Sequence, residues 1–210
     1  MNKIFLETSS KNSYECSLIR TLLELQGLTE GSDFELVYVG GKDNLPKYSA
    51  KLAEHESDTE VNLIIFDADT QATGGGHSIR FNELKQILDS MGKISNKSEI
   101  FLFPNNKDDG ILENLLEQII NPEHRCILKY FTTYEDSLAS HKNEHEEKKY
   151  EVPDQKTRMF AYISTFKKTR KQREDFKNKG NWMFSNPEIW NLNAAALQPL
   201  REFLTRNLSQ

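Results

Sequence analysis

Val61-Asn62-Leu63-Ile64-Ile65-Phe66-Asp67-Ala68-Asp69-Thr70 runs through apolar residues and stops in two carboxylates. Residues 63–66 show no alternation of apolar and polar side chains, which marks a strand buried on both faces, as inside a parallel sheet. In an open α/β sheet, ligands bind in the crevice beyond the carboxyl ends of the strands. Asp67 and Asp69 stand at such an end. On extended backbone, residues two apart point the same way, so the two carboxylates are expected to share one side and to repel unless a cation lies between them. A hard divalent ion such as Mg²⁺, bound through oxygen, meets that need. The plainer reading of Asp-x-Asp is a turn, where aspartate is common.

The flanking sequence repeats this grammar. Upstream, residues 3–7 (KIFLE) form a short apolar strand closing in Glu7, and a polar loop leads to Ser13, a helix N-cap. Cys16, Ile19, Leu22, Leu23 and Leu25 then fall at helical spacing up to Gly27. Residues 34–39 (FELVYV) read as the next strand, broken by Gly40-Gly41, and residues 45–55 as a helix. Downstream, Phe81, Leu84, Ile87, Leu88 and Met91 mark a helix, and residues 99–103 (EIFLF) a strand stopped by Pro104. Residues 111–120 mark another amphipathic helix. Strand and helix thus alternate over residues 1–121, which predicts an α/β fold with a four-strand, mainly parallel sheet flanked by helices. Residues 122–210 read as a helical C-terminal extension packed on the same domain. Helices are expected over 124–139, 159–166 and 194–208, with a charged solvated helix or linker at 141–150 and a basic run at 167–179.

Composition narrows the function classes. The net charge of −5 gives no global field toward nucleic acid, so such contact would need a local basic patch. Cys16 and Cys126 lie far apart with no C-x-x-C pair, which fits a reducing cytoplasm and offers no thiolate metal cluster. The start of the chain lacks a signal-peptide pattern, and no apolar stretch is long enough to cross a membrane, so a cytoplasmic location without membrane partners is expected.

Three strands of the alternating region end in acids: Glu7 after the first, Asp67 and Asp69 after the third, Asp108 and Asp109 just past the fourth. In a parallel sheet these ends share one edge. An unpaired cluster there is costly unless a cation sits in it or its members stay solvated.

A glutamate closing the first strand, then a helix, then a hydrophobic strand ending Asp-x-Asp is similar to the TOPRIM domain of topoisomerases, primases and OLD-family nucleases. The pieces FDADT (66–70), a glycine-rich loop, EIFLFPNN (99–106) and DDGILENLLEQII (108–120) resemble more closely a family of uncharacterised bacterial TOPRIM-like proteins, over residues 1–121. The resemblance implies that Glu7 is the motif glutamate, a general acid or base or a metal ligand, and that Asp67 and Asp69 are metal-binding aspartates. It implies Mg²⁺ (or Mn²⁺) as cofactor, with Asp108 or Asp109 available to a second ion. Two departures stand out. Thr8 replaces the glycine that usually follows the motif glutamate, and Tyr14 and Glu15 occupy the helix start where nuclease relatives carry an aspartate.

The function so implied is metal-dependent phosphoryl transfer by a TOPRIM-type nuclease on nucleic acid. Glu7, Asp67 and Asp69 would be catalytic, and Lys11 and Lys107 would contact phosphate unless they are ordinary solvated lysines. The alternative is a non-catalytic subunit, partnered with a separately encoded ATPase or binding a metal–nucleotide complex without turnover. Other features carry less. Gly74-Gly75-Gly76 lacks the Gly-Lys-Ser/Thr of a P-loop and reads as a flexible connection with His77 beside it. His141 and His145 could share a helix face with Glu144, in wholly charged surroundings. The basic run contacts nucleic-acid backbone or is a solvated face. Trp182 and Trp190 read as packing anchors.

Overall fold

The computed structural model describes residues 1–208 of the chain except residues 56, 58, 144 and 146. Four parallel strands form one sheet in the order β2-β1-β3-β4: β1 is Asn2–Leu6, β2 Phe34–Tyr38, β3 Asn62–Asp67 and β4 Ser98–Phe103. The two central strands, β1 and β3, pair in register from Lys3↔Asn62 to Leu6↔Ile65, and β3 continues opposite β4 to Asp67↔Phe103. The ends of β1 and β3 therefore lie side by side, with Glu7 one residue past its strand and Asp67 the last residue of its own.

The uninterrupted apolar runs are explained by helices on both faces. Ile4, Leu6, Leu63, Ile65, Phe101 and Phe103 point to one face, while Phe5, Ile64, Phe66 and Leu102 point to the other. Helix α1 (Tyr14–Glu24) covers the first face through Cys16, Leu18, Ile19, Leu22 and Leu23, capped by the Ser13 hydroxyl, which accepts from Cys16 N. The crossover expected as one helix over 45–55 is instead a 3₁₀ turn, Lys42–Tyr48, followed by the short α2 (Ser49–Ala53). Pro46 lies inside it, and its missing N–H and its restriction of the preceding residue disfavour a continuous α-helix there. Helix α3 (His77–Ser90) covers the second face through Leu84 and Leu88, and α4 (Leu112–Ile119) returns to the first. The expected α/β class, with a four-strand parallel sheet and helices on its faces, is the observed one.

The remaining helices are α5 (Arg125–Ser140), α6 (Gln155–Ser164), α7 (Arg170–Lys179) and α8 (Gln198–Leu208). Their apolar side chains join the cluster on the first face. Phe203 of α8 meets Phe101 of β4 at 5.3 Å between ring centroids, and Met159, Tyr162 and Ile163 of α6 are buried in the same cluster. Trp182 and Trp190 are 3% and 1% exposed and are packing anchors, with Trp190 Nε1 donating to Trp182 O at 2.8 Å. The described residues of 141–150 form no helix; His141 rests against Tyr150, and Glu144 lies outside the described residues. Among the described residues no helix is long and apolar enough to cross a membrane.

Candidate functional site

The carboxyl ends of β1 and β3 and the N-termini of α1 and α4 converge, because the strands are parallel and α1 and α4 follow β1 and β4. Each element brings a carboxylate. Glu7 follows β1, and its Oε2 accepts from Asp67 N at 2.9 Å. Asp67 ends β3, and its Oδ1 accepts from Leu112 N, the first residue of α4, at 2.8 Å. Glu15, in the first turn of α1, accepts from Glu7 N and Thr8 N, one oxygen each, at 3.2 Å. Glu113, in the first turn of α4 and 3% exposed, accepts from the Tyr14 hydroxyl.

Crowding and burial raise the proton affinity of three of these acids, Glu7, Glu15 and Asp67. Burial pushes the Asp67 carboxyl well above the usual range, and the charges of Glu7, Glu15 and Glu113 add to it against the Leu112 N–H. Burial, then Glu7, lifts Glu15 to about 8 despite its two backbone donors. Glu7 is raised by burial and by Asp69, opposed by the Asp67 N–H, Arg80 and Lys42. Tyr14 is raised too, by burial and then by Glu113. The positive ends of two helix dipoles face the cluster and offset part of its charge.

Asp69 does not share the orientation expected of it. Its φ of 59° takes the chain out of extended conformation, a left-handed geometry that aspartate tolerates. The two carboxylates accordingly part: Asp67 turns to α4 on one face, and Asp69 pairs with Arg80 of α3 on the other. Glu7 stands between them, within electrostatic reach of both. Arg80 is only 8% exposed, also holds Glu83 at 2.6 Å, and its Nε is buried without an acceptor among the described residues.

The remaining expected site residues lie outside the buried cluster. Asp109 accepts from His77 N at 2.7 Å and so caps α3 from another loop. Asp108 accepts from Asn105 Nδ2 at 2.8 Å within its own turn. Both are exposed, and the charges weighing most on Glu7 and Asp67 do not include them. Lys11 lines a surface cavity of about 590 Å³ with Arg20, Tyr38 and Lys179, and Lys107 is exposed in the turn after β4. The glycine loop is tightly placed: a Cβ on Gly75 would stand 2.5 Å from Asp69 Cβ, and one on Gly76 3.1 Å from the Asp109 carboxylate. Sequence reasoning singled out neither Arg80 nor Glu113 as part of the site, and it took Glu15 only as a departure from a motif. The one available signal was that Glu15 and Glu113 occupy first turns of helices that follow strands.

Three oxygens in the cluster, Glu7 Oε1, Asp67 Oδ2 and Glu113 Oε2, make no hydrogen bond among the described residues, and the first two belong to acids joined directly through the Asp67 N–H. They are hard donors of the kind Mg²⁺ takes, and Mg²⁺ commonly keeps several waters while using one or two carboxylates. Among the described residues no group of three or more His, Cys, Asp or Glu side chains is arranged to hold a metal ion as it stands. The donor chemistry thus fits an ion carried by the Glu7–Asp67 pair rather than a closed protein cage. No curated protein and no solved structure matches the chain. A family model described as "Protein of unknown function (DUF3226)" matches residues 12–209, from the loop before α1 through the last helix, and the chain belongs to that family.

Proposed function

We propose that the chain is a Mg²⁺-dependent phosphoryl-transfer protein, a TOPRIM-type nuclease acting on nucleic acid. The observation that carries this reading is the gathering of four acids, Glu7, Glu15, Asp67 and Glu113, around one strand-end crevice, with the proton affinities of Glu7, Glu15 and Asp67 raised by desolvation and by one another. Buried carboxylates crowded in this way are a sign of function, because a purely structural site gains nothing from their repulsion. Glu7 Oε1 and Asp67 Oδ2 would hold the ion, which when bound polarises a phosphodiester and acidifies a bound water. In the alternative role Glu7, its proton affinity raised by burial, would leave the ion to Asp67 and accept a proton from the attacking water or return one to the leaving oxygen. Tyr14 orients Glu113 through its hydroxyl, and Glu15 fixes the backbone at Glu7 and Thr8. Arg80 draws Asp69 aside and lowers the charge around Glu7. The free thiols of Cys16 and Cys126 fit the proposed cytoplasmic location.

The test is a plasmid-nicking assay with Mg²⁺ or Mn²⁺. Wild type should cut, and Asp67→Asn should lose at least a hundredfold in rate, the scale of removing a group from an electrostatic site, about 2.7 kcal/mol or more. Undiminished cutting by Asp67→Asn would refute the assignment. A second reading is favoured by the Arg80–Asp69 pair, which occupies one aspartate of the motif: a subunit that binds metal–nucleotide without turnover or completes its site with a separately encoded ATPase. Calorimetric binding of Mg²⁺ and nucleotide by a protein that does not cut would select it.

A further inference from the structure

We propose that the groove between α6 and α7 is a binding site for single-stranded nucleic acid, seating backbone phosphate on Lys167, Lys168, Arg173 and Lys177 and a base against Phe160. The groove is a cavity of about 500 Å³ whose lining, among the described residues, includes these four cations and no acid. Their neighbours are already paired: Arg170 holds Glu174 at 3.1 Å, and Lys179 holds Asp175 at 2.8 Å. Among the described residues Lys167, Arg173 and Lys177 meet no acidic partner, and Lys168 Nζ donates only to the carbonyls of Ile163 and Phe166. Burial, with Arg173 adding to it, disfavours the charge on Lys168, and an anion in the groove would offset that cost. In a chain of net charge −5, this local excess of positive charge is a concentrated exception.

The floor of the groove distinguishes a nucleic acid from a bare polyanion. Phe160 stacks on the buried Phe176 at 4.7 Å between centroids, with an interplanar angle of 24°, yet keeps 41% of its surface exposed. An aromatic ring backed by a second ring and ringed by cations is the platform on which unpaired bases stack in sequence-tolerant single-strand binders. Double-stranded nucleic acid offers no free base face to it.

The groove is also joined to the acidic crevice. Phe176 approaches Trp182 at 6.4 Å, and Trp182 stacks on Tyr14 at 4.0 Å. The Tyr14 hydroxyl reaches Glu113 in the cluster. At the far end of α7, Gly180 is pressed against Ser13, where a Cβ would stand 2.6 Å from the Ser13 carbonyl carbon. Helix α7 thus runs from the groove to the N-cap of α1, the helix that carries Glu15, and a strand held by its cations is led toward the strand ends. That direction rests on the phosphoryl-transfer reading; the binding itself does not.

The experiment is fluorescence anisotropy of a labelled single-stranded oligonucleotide of about twelve nucleotides, within the usual site size, with the full chain in EDTA across a salt series. Wild type should bind without metal. Each phosphate contact on a single strand contributes about 0.7 to the log–log salt slope, so the triple variant Lys167→Gln, Arg173→Gln, Lys177→Gln should lose about 2 from it. All three side chains are exposed, so the fold is expected to persist, checked by circular dichroism. Phe160→Ala should weaken binding by about tenfold with the slope kept, the lower range of a stacked base. Absence of wild-type binding, an unchanged slope in the triple variant, or binding to phosphatidylserine vesicles in place of the oligonucleotide would overturn the proposal. Binding with no plasmid nicking would sink the nuclease reading and leave this one standing. Nicking with an unchanged salt slope would do the reverse.

Discussion

Glu15 is held by two opposed forces. Two backbone N–H groups favour its charged form, while burial and the neighbouring Glu7 and Glu113 favour the neutral one and win, lifting it from 4.5 to about 8. A carboxyl whose folded pKa is raised binds more protons folded than unfolded, so stability falls as pH rises. The loss begins near the unfolded value of 4.5 and is complete above about 8. In chelator, the midpoint of thermal unfolding should therefore drop between pH 5 and pH 8, with Asp67, raised by the same crowding, adding to the drop. Asp67→Asn keeps an oxygen for the Leu112 N–H and removes one buried charge. At pH 8 and without metal it should be more stable than wild type by about 1–2 kcal/mol, the scale of relieving unfavourable buried charge, and the gap should close toward pH 5. A flat wild-type profile across that range would mean that the four acids do not crowd one another. Mg²⁺ at a hundred times its dissociation constant should then stabilise wild type by about 2.7 kcal/mol and leave Asp67→Asn unmoved, read by the same melts. At this scale the sequence was legible where an acid ends an apolar run, as at Glu7 and Asp67. It was not legible where the site draws on helices. Arg80 and Glu113 look like any polar residue of an amphipathic segment until the packing of α3 and α4 fixes what they face. Asp69 was found but misdirected, because extended geometry was assumed one residue too far.

Among the elements, the turn between β3 and α3 is held from several sides. Gly76 N donates to Ala68 O at 2.8 Å, Gly110 N donates to Asp69 O at 2.7 Å, and Asp109 caps α3 from the loop after β4. The glycine run read from sequence as a flexible connection is thus a fitted one, and Gly74 and Gly75 are glycine for different reasons. Gly74 sits at φ +77° with open space around it, so alanine there meets only backbone strain and should cost about 1 kcal/mol. Gly75 is not at positive φ, but its Cβ would fall 2.5 Å from Asp69 Cβ and 3.0 Å from Ala68 O. Alanine there must displace Asp69 and its ion pair, and should cost about 2–3 kcal/mol, the upper part of the overpacking range. Urea unfolding of the two variants checks this; equal losses would show that Asp69 yields easily and is not fixed by the loop. The strands and most helices were readable because their periodicity is set by local burial. The crossover after β2 was not, since Pro46 cut what looked like one apolar face into a 3₁₀ turn and a short helix.

For the whole molecule the question is whether the helices after residue 121 are an attachment or part of the fold. The sheet's first face, which carries Ile4, Leu6, Leu63, Ile65, Phe101 and Phe103, is closed by α1 and α4 together with side chains from α6, α8 and the Trp182–Trp190 segment. Backbone joins them as well: Asn121 N donates to Ile189 O at 2.9 Å, and Asn191 N to Ile119 O at 2.7 Å, stitching the end of α4 to the tryptophan segment. Arg158 of α6 reaches Glu117 of α4 at 3.1 Å and Glu135 of α5 as well. A chain cut after residue 121 would bare the apolar face that Trp190, Phe203 and Leu204 now cover. Burying a large apolar side chain is worth about 1.5–3 kcal/mol, and a domain's whole stability is about 5–15 kcal/mol, so losing even these few should leave no folded fragment. The prediction is that residues 1–121 alone show no cooperative urea transition. In the full chain, both tryptophans lie in the tail while the amides of β3 lie at the centre of the sheet. Tryptophan fluorescence and hydrogen exchange of the β3 amides should therefore report one shared midpoint, the mark of a single cooperative unit. Two separated midpoints, or a fragment that folds by itself, would show that the acidic crevice belongs to an autonomous sheet domain and that the tail only rests on it.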